Sequence, residues 1–153
     1  MKKIILLLVT IFLVFGGLFA GEKKCSDPEK KAVAKVIEAA YVRGIHIDRD
    51  IDAIEKGFHP EFNMLVQKDD KLIAVPISKW IEKIKAIKEK KSKPAKVEVK
   101  HKFSMVSVAG NAAVARVEIF KNGKHVYSDF MSLYKFSDGW KIVSKIYYSH
   151  KHK

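Results

Sequence analysis

Tyr127-Ser128-Asp129-Phe130-Met131-Ser132-Leu133-Tyr134-Lys135-Phe136-Ser137-Asp138-Gly139-Trp140-Lys141-Ile142-Val143-Ser144-Lys145-Ile146-Tyr147-Tyr148 is two apolar-rich runs around a short polar turn. Aromatic and β-branched residues favour strands, and Ser137-Asp138-Gly139 supplies a tight turn, so the stretch reads as a β-hairpin. It sets the second half of the chain as antiparallel sheet. It also places one acid, Asp129, in the middle of a strand that is otherwise half apolar.

Working upstream, the period stays at two. Val97, Val99, His101, Phe103 and Met105 alternate with Lys96, Glu98, Lys100, Lys102 and Ser104, giving a strand with one wet face. Ala109-Gly110-Asn111 turns the chain, Ala112 to Phe120 forms a second long strand, and Asn122-Gly123 is a hairpin signal. His125 to Phe136 and Trp140 to Tyr148 are the third and fourth long strands.

Before Pro94 the period is 3.6. Val33, Val36, Ile37, Ala40 and Tyr41 form one apolar stripe. Ser26 or Asp27 caps that first helix, Pro28 fits its first turn, and it is expected to end near Gly44. Asp48 or Asp50 starts a second helix carrying Ile51, Ile54 and Phe58 inward, with Gly57 as its stop. Pro60 ends helical character. Phe62–Val66 and Leu72–Val75 flank Lys68-Asp69-Asp70-Lys71 as a small hairpin, and a third helix runs from Ser78 to about Lys91 with Trp80, Ile81, Ile84 and Ile87 on one face. The order implies an α+β cone: a curved antiparallel sheet wrapped around three N-terminal helices, with an apolar pocket between the layers.

The N-terminus reads differently. Lys2-Lys3 precedes the uncharged run Ile4–Phe15, and small residues follow to Gly21, the layout of a secretory signal peptide cut after Ala20. The alternative is an anchor, since residues 4–20 reach the short end of the ~17–25 residues that span a bilayer. The expected organisation is a signal segment at 1–20, a flexible segment at 21–26, a domain at 27–149 and a basic tail at 150–153. The chain is expected to be exported to periplasm or extracellular space. Cys25 is the single cysteine, so the fold holds by packing and not by an internal disulfide.

The net charge of +13 allows contact with anionic surfaces, and the lysine face of the third helix with Lys88, Lys90, Lys91 and Lys93 offers a patch for one. Export argues against nucleic acid as partner. The arginines are only Arg43, Arg49 and Arg116, whereas specific phosphate recognition favours arginine forks.

Ala40-Tyr41, Phe58-His59-Pro60-Glu61-Phe62, Asp129-Phe130-Met131-Ser132-Leu133 and Gly139-Trp140-Lys141-Ile142-Val143-Ser144-Lys145-Ile146, in this element order, resemble the nuclear transport factor 2-like superfamily, with its cystatin-like α+β barrel. Within it they are most similar to the putative lumazine-binding branch. The resemblance covers most of Ser26 to Tyr148. It implies a cone fold and leaves activity open, because the superfamily holds isomerases, cyclases, dehydratases and pure binding proteins.

Asp129 is the candidate around which chemistry would form. Facing inward it would be a desolvated general base, with Tyr41 or Tyr127 as hydrogen-bond donor to a developing oxyanion. Paired with a cation such as Arg116 on the neighbouring strand, it would hold register instead. The expected pocket is lined by Tyr41, His59, Trp80, His101, Phe103, Tyr127, Asp129 and Trp140. His150 and His152 sit in the tail without a scaffold, so no metal site is expected, and no phosphate loop or nucleophile elbow implies a cofactor. The expected function is non-catalytic binding of a small apolar or planar ligand by a homodimer joined through its sheet. The alternatives are an isomerase, cyclase or dehydratase using Asp129, and a basic module for anionic envelope surfaces.

Overall fold

The computed structural model describes residues 27–89 and 97–150. The expectations for residues 1–26, including the signal segment and Cys25, for the lysine run beyond Glu89, and for His152 lie outside the described residues.

Helix α1 (Asp27–Val36) runs directly into a π-helical segment (Ile37–Ile47), followed by α2 (Ile51–Gly57), β1 (Phe58–Lys68), β2 (Lys71–Pro76), α3 (Ile77–Glu89), β3 (Val99–Ala109), β4 (Ala112–Lys121), β5 (Lys124–Phe136) and β6 (Gly139–Ser149). The six strands form one curved, unclosed sheet in the order β2-β1-β6-β5-β4-β3. The helices cover its concave face, which is the α+β cone expected from the periods.

One feature of the sheet differs from the expectation. It is mixed and not wholly antiparallel, because β1 pairs parallel with β6 through Phe58↔Ile142, Asn63↔Ser144 and Met64↔Lys145. The register shifts between Phe58 and Asn63, where His59 and Pro60 lie. Proline cannot donate to a ladder, so this irregular stretch is where it is tolerated inside a strand.

The first helix also runs past its expected end. Gly44 is buried and does not stop it; a Cβ there would lie 3.1 Å from Ile54 Cγ1. Gly57 works the same way, since a Cβ would approach Ala40 Cβ to 2.2 Å. The two glycines let α2 lie hard against the π-helical segment. Asp50 caps α2, accepting a bond from the Ala53 amide at 3.2 Å.

Along β4 the side chains alternate between the two faces of the sheet. Ala113, Ala115, Val117 and Ile119 are buried under the helices, and Val114 and Arg116 are exposed. The core joins these to Val33, Ile37 and Tyr41 from the first helix, Ile54 from α2, Phe58 and Phe62 from β1, and Met131, Leu133 and Ile142 from the closing hairpin. Asn122 and Gly123 turn β4 into β5 with φ of 50° and 76°, the two left-handed positions that a two-residue hairpin requires.

Three pairings contain a register shift on the long strands: β3/β4 between Phe103 and Met105, β4/β5 between Ile119 and Phe120, and β5/β6 between Ser132 and Leu133. Each shift changes which face the following side chains occupy. On β6 an unbroken alternation from Trp140 and Ile142 would carry Ile146 and Tyr148 inward. Instead Ile146 and Tyr148 are exposed, while Lys145 is buried and Tyr147 half-buried.

Candidate functional site

The two residues re-aimed on β6 meet Asp129. Asp129 is 0% exposed, opposite Tyr147 on β6 and Val117 on β4. Tyr41, delivered by the π-helical segment, donates its hydroxyl to Asp129 Oδ2 at 2.7 Å. Lys145 Nζ donates to Asp129 Oδ1 and lies 3.3 Å from the Tyr41 hydroxyl oxygen. Both carboxylate oxygens therefore have a donor.

The electrostatics follow from burial. Desolvation pulls the Lys145 ammonium below its ordinary pKa, partly offset by the attraction and hydrogen bond of Asp129. Burial, then the neighbouring Asp129 charge, pushes the Tyr41 phenol well above its usual range, so it stays protonated. Aromatic faces complete the surroundings of the ammonium. Its Nζ lies 4.6 Å from the Tyr147 ring centroid, 5.2 Å from Tyr41 and 5.8 Å from Trp80, all within cation–π range.

Above this group opens a cavity of about 380 Å³. Tyr41, Lys145, Trp80, Tyr127 and Tyr147 line it, with Ile45, Met64, Ile84 and Ile87 as apolar walls and Arg49, Lys83 and Lys121 as further cations. Among the described residues no carboxylate lines it, so Asp129 acts from beneath the wall. His46 also lines the cavity. Its Nε2 is buried and has no hydrogen-bond partner among the described residues. Burial, with Lys121 and Lys145 nearby, lowers its pKa to about 3, so the imidazole is neutral at physiological pH. A buried nitrogen without a partner is a group that a ligand can satisfy.

The expected pocket residues divide accordingly. Tyr41, Trp80 and Tyr127 line the cavity, and Asp129 supports it. His59 lies elsewhere, stacked on Phe136 with Nδ1 accepting from the Glu61 amide at 3.2 Å. His101 and Phe103 pack edge to face with each other on β3, and Trp140 donates its indole N–H to Glu29 Oε2 of α1 at 2.8 Å. Arg116 does not pair with Asp129: its Nε lies 2.7 Å from Glu118 Oε1. The reason is parity, since Arg116 is opposite Phe130 on the convex face while Asp129 points inward.

Lys145, His46, Tyr147, Lys121 and Arg49 were not read from the sequence as pocket residues. Lys145 and Tyr147 are hidden by the β6 register shift, and His46 by the π-helical continuation past Gly44. Among the described residues, an acid-and-imidazole grouping of Glu118 with His125 and His150 lies on the opposite sheet face, away from the cavity.

A family model described as putative lumazine-binding matches residues 28–148. Among solved structures, the chain is similar to a nuclear transport factor 2-like protein of unknown function from Shewanella baltica OS155, at 26% identity and a TM-score of 0.64, covering 82% of this chain and 96% of that one. A second such protein, from Silicibacter pomeroyi DSS-3, matches at 23% identity and 0.62, covering 78% and 94%. A protein from Novosphingobium aromaticivorans described as a putative aromatic ring hydroxylase matches at 17% and 0.58, covering 84% and 94%, which is likeness of fold alone. No curated protein sequence matches the chain.

Proposed function

Because the chain belongs to the putative lumazine-binding family, with the nuclear transport factor 2-like fold, we propose that it binds a small planar ligand non-catalytically in the cavity above Lys145. The observation that carries this reading is the aromatic-walled cavity whose lining holds Lys145, Lys121, Lys83 and Arg49 but no acid. A flat ring can stack among Trp80, Tyr127 and Tyr147. An anionic or carbonyl edge can meet Lys145, and a ring N–H can satisfy His46 Nε2. Cavities of roughly 300–1,000 Å³ suit small organic ligands, and this one is at the lower end, as a bicyclic heterocycle of the lumazine kind requires.

The alternative of an isomerase-type enzyme asks Asp129 to accept a proton from substrate. Its two oxygens are already occupied by Tyr41 and Lys145, and it is not in the cavity wall. That weighs for binding over proton abstraction. The proposal includes export, which rests on the layout of residues 1–20, and homodimerisation through the convex sheet face, where Val114, Phe130, Tyr134, Ile146 and Tyr148 are exposed. Apolar residues gathered on one sheet face are the usual mark of a protein contact.

Titration calorimetry with planar heterocyclic anions tests the binding. Lys145→Met and Trp80→Ala should each weaken the best ligand by at least about tenfold, the loss of roughly one charge-assisted hydrogen bond or one ring stack. Turnover of a bound compound, abolished by Asp129→Asn, would replace this reading with the enzymatic one. Sedimentation equilibrium decides the dimer, with a monomer at all concentrations contradicting it.

A further inference from the structure

The convex face holds a second buried carboxylate. Glu118 is 6% exposed, opposite Ser128 on β5 and Lys102 on β3. The β4/β5 register shift brings His125 beside it, with His125 Nε2 3.0 Å from Glu118 Oε2. Beyond the end of β6 the chain is not loose at His150. Its amide donates to Val126 O at 3.0 Å, and its imidazole stacks on His125 with ring centroids 3.8 Å apart. Glu118, His125 and His150 each offer one ligand atom, and the three atoms lie within 4.8 Å of one another.

We propose that Glu118, His125 and His150 form a binding site for a borderline-soft divalent cation, zinc foremost. Two imidazole nitrogens and one carboxylate oxygen are the donor set such ions take, leaving a fourth position for water. Bonds of about 2.0–2.2 Å in a tetrahedron put neighbouring ligand atoms about 3.4 Å apart, a spacing within reach of these atoms once the two stacked rings turn so that their nitrogens converge. Ser128 Oγ donates to Glu118 Oε2 and lies 3.0 Å from His150 Nε2, contacts that hold the donor atoms together in the metal-free site and are exchanged when a metal binds. Ser104 donates to Glu118 Oε1 at 3.0 Å. His125 Nε2 also lies 3.1 Å from Tyr127 O, a contact it exchanges for the metal. The Arg116 guanidinium beside Glu118 opposes a second cation and tunes the affinity down. The site ties β4, β5 and the segment after β6 together, and is independent of the cavity on the other face.

The test is zinc chloride titration of the full chain, read by a competing chromophoric chelator, with cobalt chloride titration read by visible d–d bands. One equivalent should bind, with tetrahedral cobalt bands, and zinc at ~100-fold over Kd should raise Tm by roughly 5–10 °C. His125→Ala and His150→Ala, both at partly exposed positions, should each lower affinity at least tenfold while the protein stays folded. His152→Ala should leave it unchanged. Arg116→Ala should tighten zinc several-fold, which a purely structural role of Glu118 would not produce. Zinc affinity unaffected by His125→Ala and His150→Ala, or an absence of stoichiometric binding, overturns the proposal.

Discussion

Two carboxylates lie one strand apart and on opposite faces of the same sheet, and the fold treats them differently. Asp129 points into the cone, fully buried, and its oxygens are taken up by one ammonium and one phenol. Glu118 points outward, nearly as buried, and is held by two hydroxyls, a guanidinium with a 44% exposed side chain and an imidazole. The inner acid is a counter-charge that holds Lys145 in the cavity wall. The outer acid keeps an oxygen turned toward exchangeable imidazoles. A buried charge with a single opposite partner is costly to disturb, whereas one surrounded by several neutral or exposed donors is adjustable.

The largest expected effect breaks the inner pair. Asp129→Ala leaves Lys145 buried without a counter-charge and should destabilise the fold by about 3–5 kcal/mol in urea denaturation. Adding Lys145→Met should recover much of that loss. If Asp129→Ala costs no more than a surface substitution, the inner acid does not hold the ammonium. Glu118→Gln should cost less, on the order of 1–3 kcal/mol, because the hydroxyls keep an acceptor and the cations can turn to water. A Glu118 variant more damaging than the Asp129 variant would invert the comparison.

His46 sharpens the contrast through pH. Its folded pKa is lowered from 6.5 to about 3, so the unfolded chain binds the extra proton across that window. Stability from this group is complete above 6.5 and falls as pH drops toward 3. Glu118, whose carboxyl is also held below its ordinary pKa of 4.5, adds acid sensitivity only below that. His46→Phe should flatten the curve between pH 6.5 and 4.5 and leave the steeper fall below it. An unchanged curve would mean that His46 does not remain neutral in the wall. The smallest effect belongs to Arg116→Ala, under about 1 kcal/mol, as for a partly exposed ion pair.

The architecture was legible because it rests on period. The change from 3.6 to 2 after Pro94, the Asn122-Gly123 turn and the apolar stripe through Tyr41 are local signals, and the structure obeys them. The candidate site was legible only in the part that parity preserves. Asp129, Tyr127 and Tyr41 lie on unbroken stretches, and their positions follow from alternation or from the helical stripe. Lys145 and Tyr147 follow a register shift on β6, His125 lies just before one on β5, and Ser104 sits within the one on β3. A bulge exchanges the two faces of a strand and leaves little trace in composition. The parallel β1/β6 pair was hidden for a related reason, since pairing between distant strands is set by the whole sheet and not by any local turn.

The chain contains two tryptophans, and they fall on opposite sides of the central claim. Trp80 lines the cavity, while Trp140 is bonded to Glu29 away from it. Following the two indole N–H signals by NMR while a planar heterocyclic anion is added therefore tests the binding site directly. The account predicts that the Trp80 signal shifts in a saturable way, that Trp140 stays in place, and that Lys145→Met weakens the binding read from that shift by at least about tenfold. Saturable binding that moves Trp140 or neither indole, or whose affinity is unchanged by Lys145→Met, would contradict it.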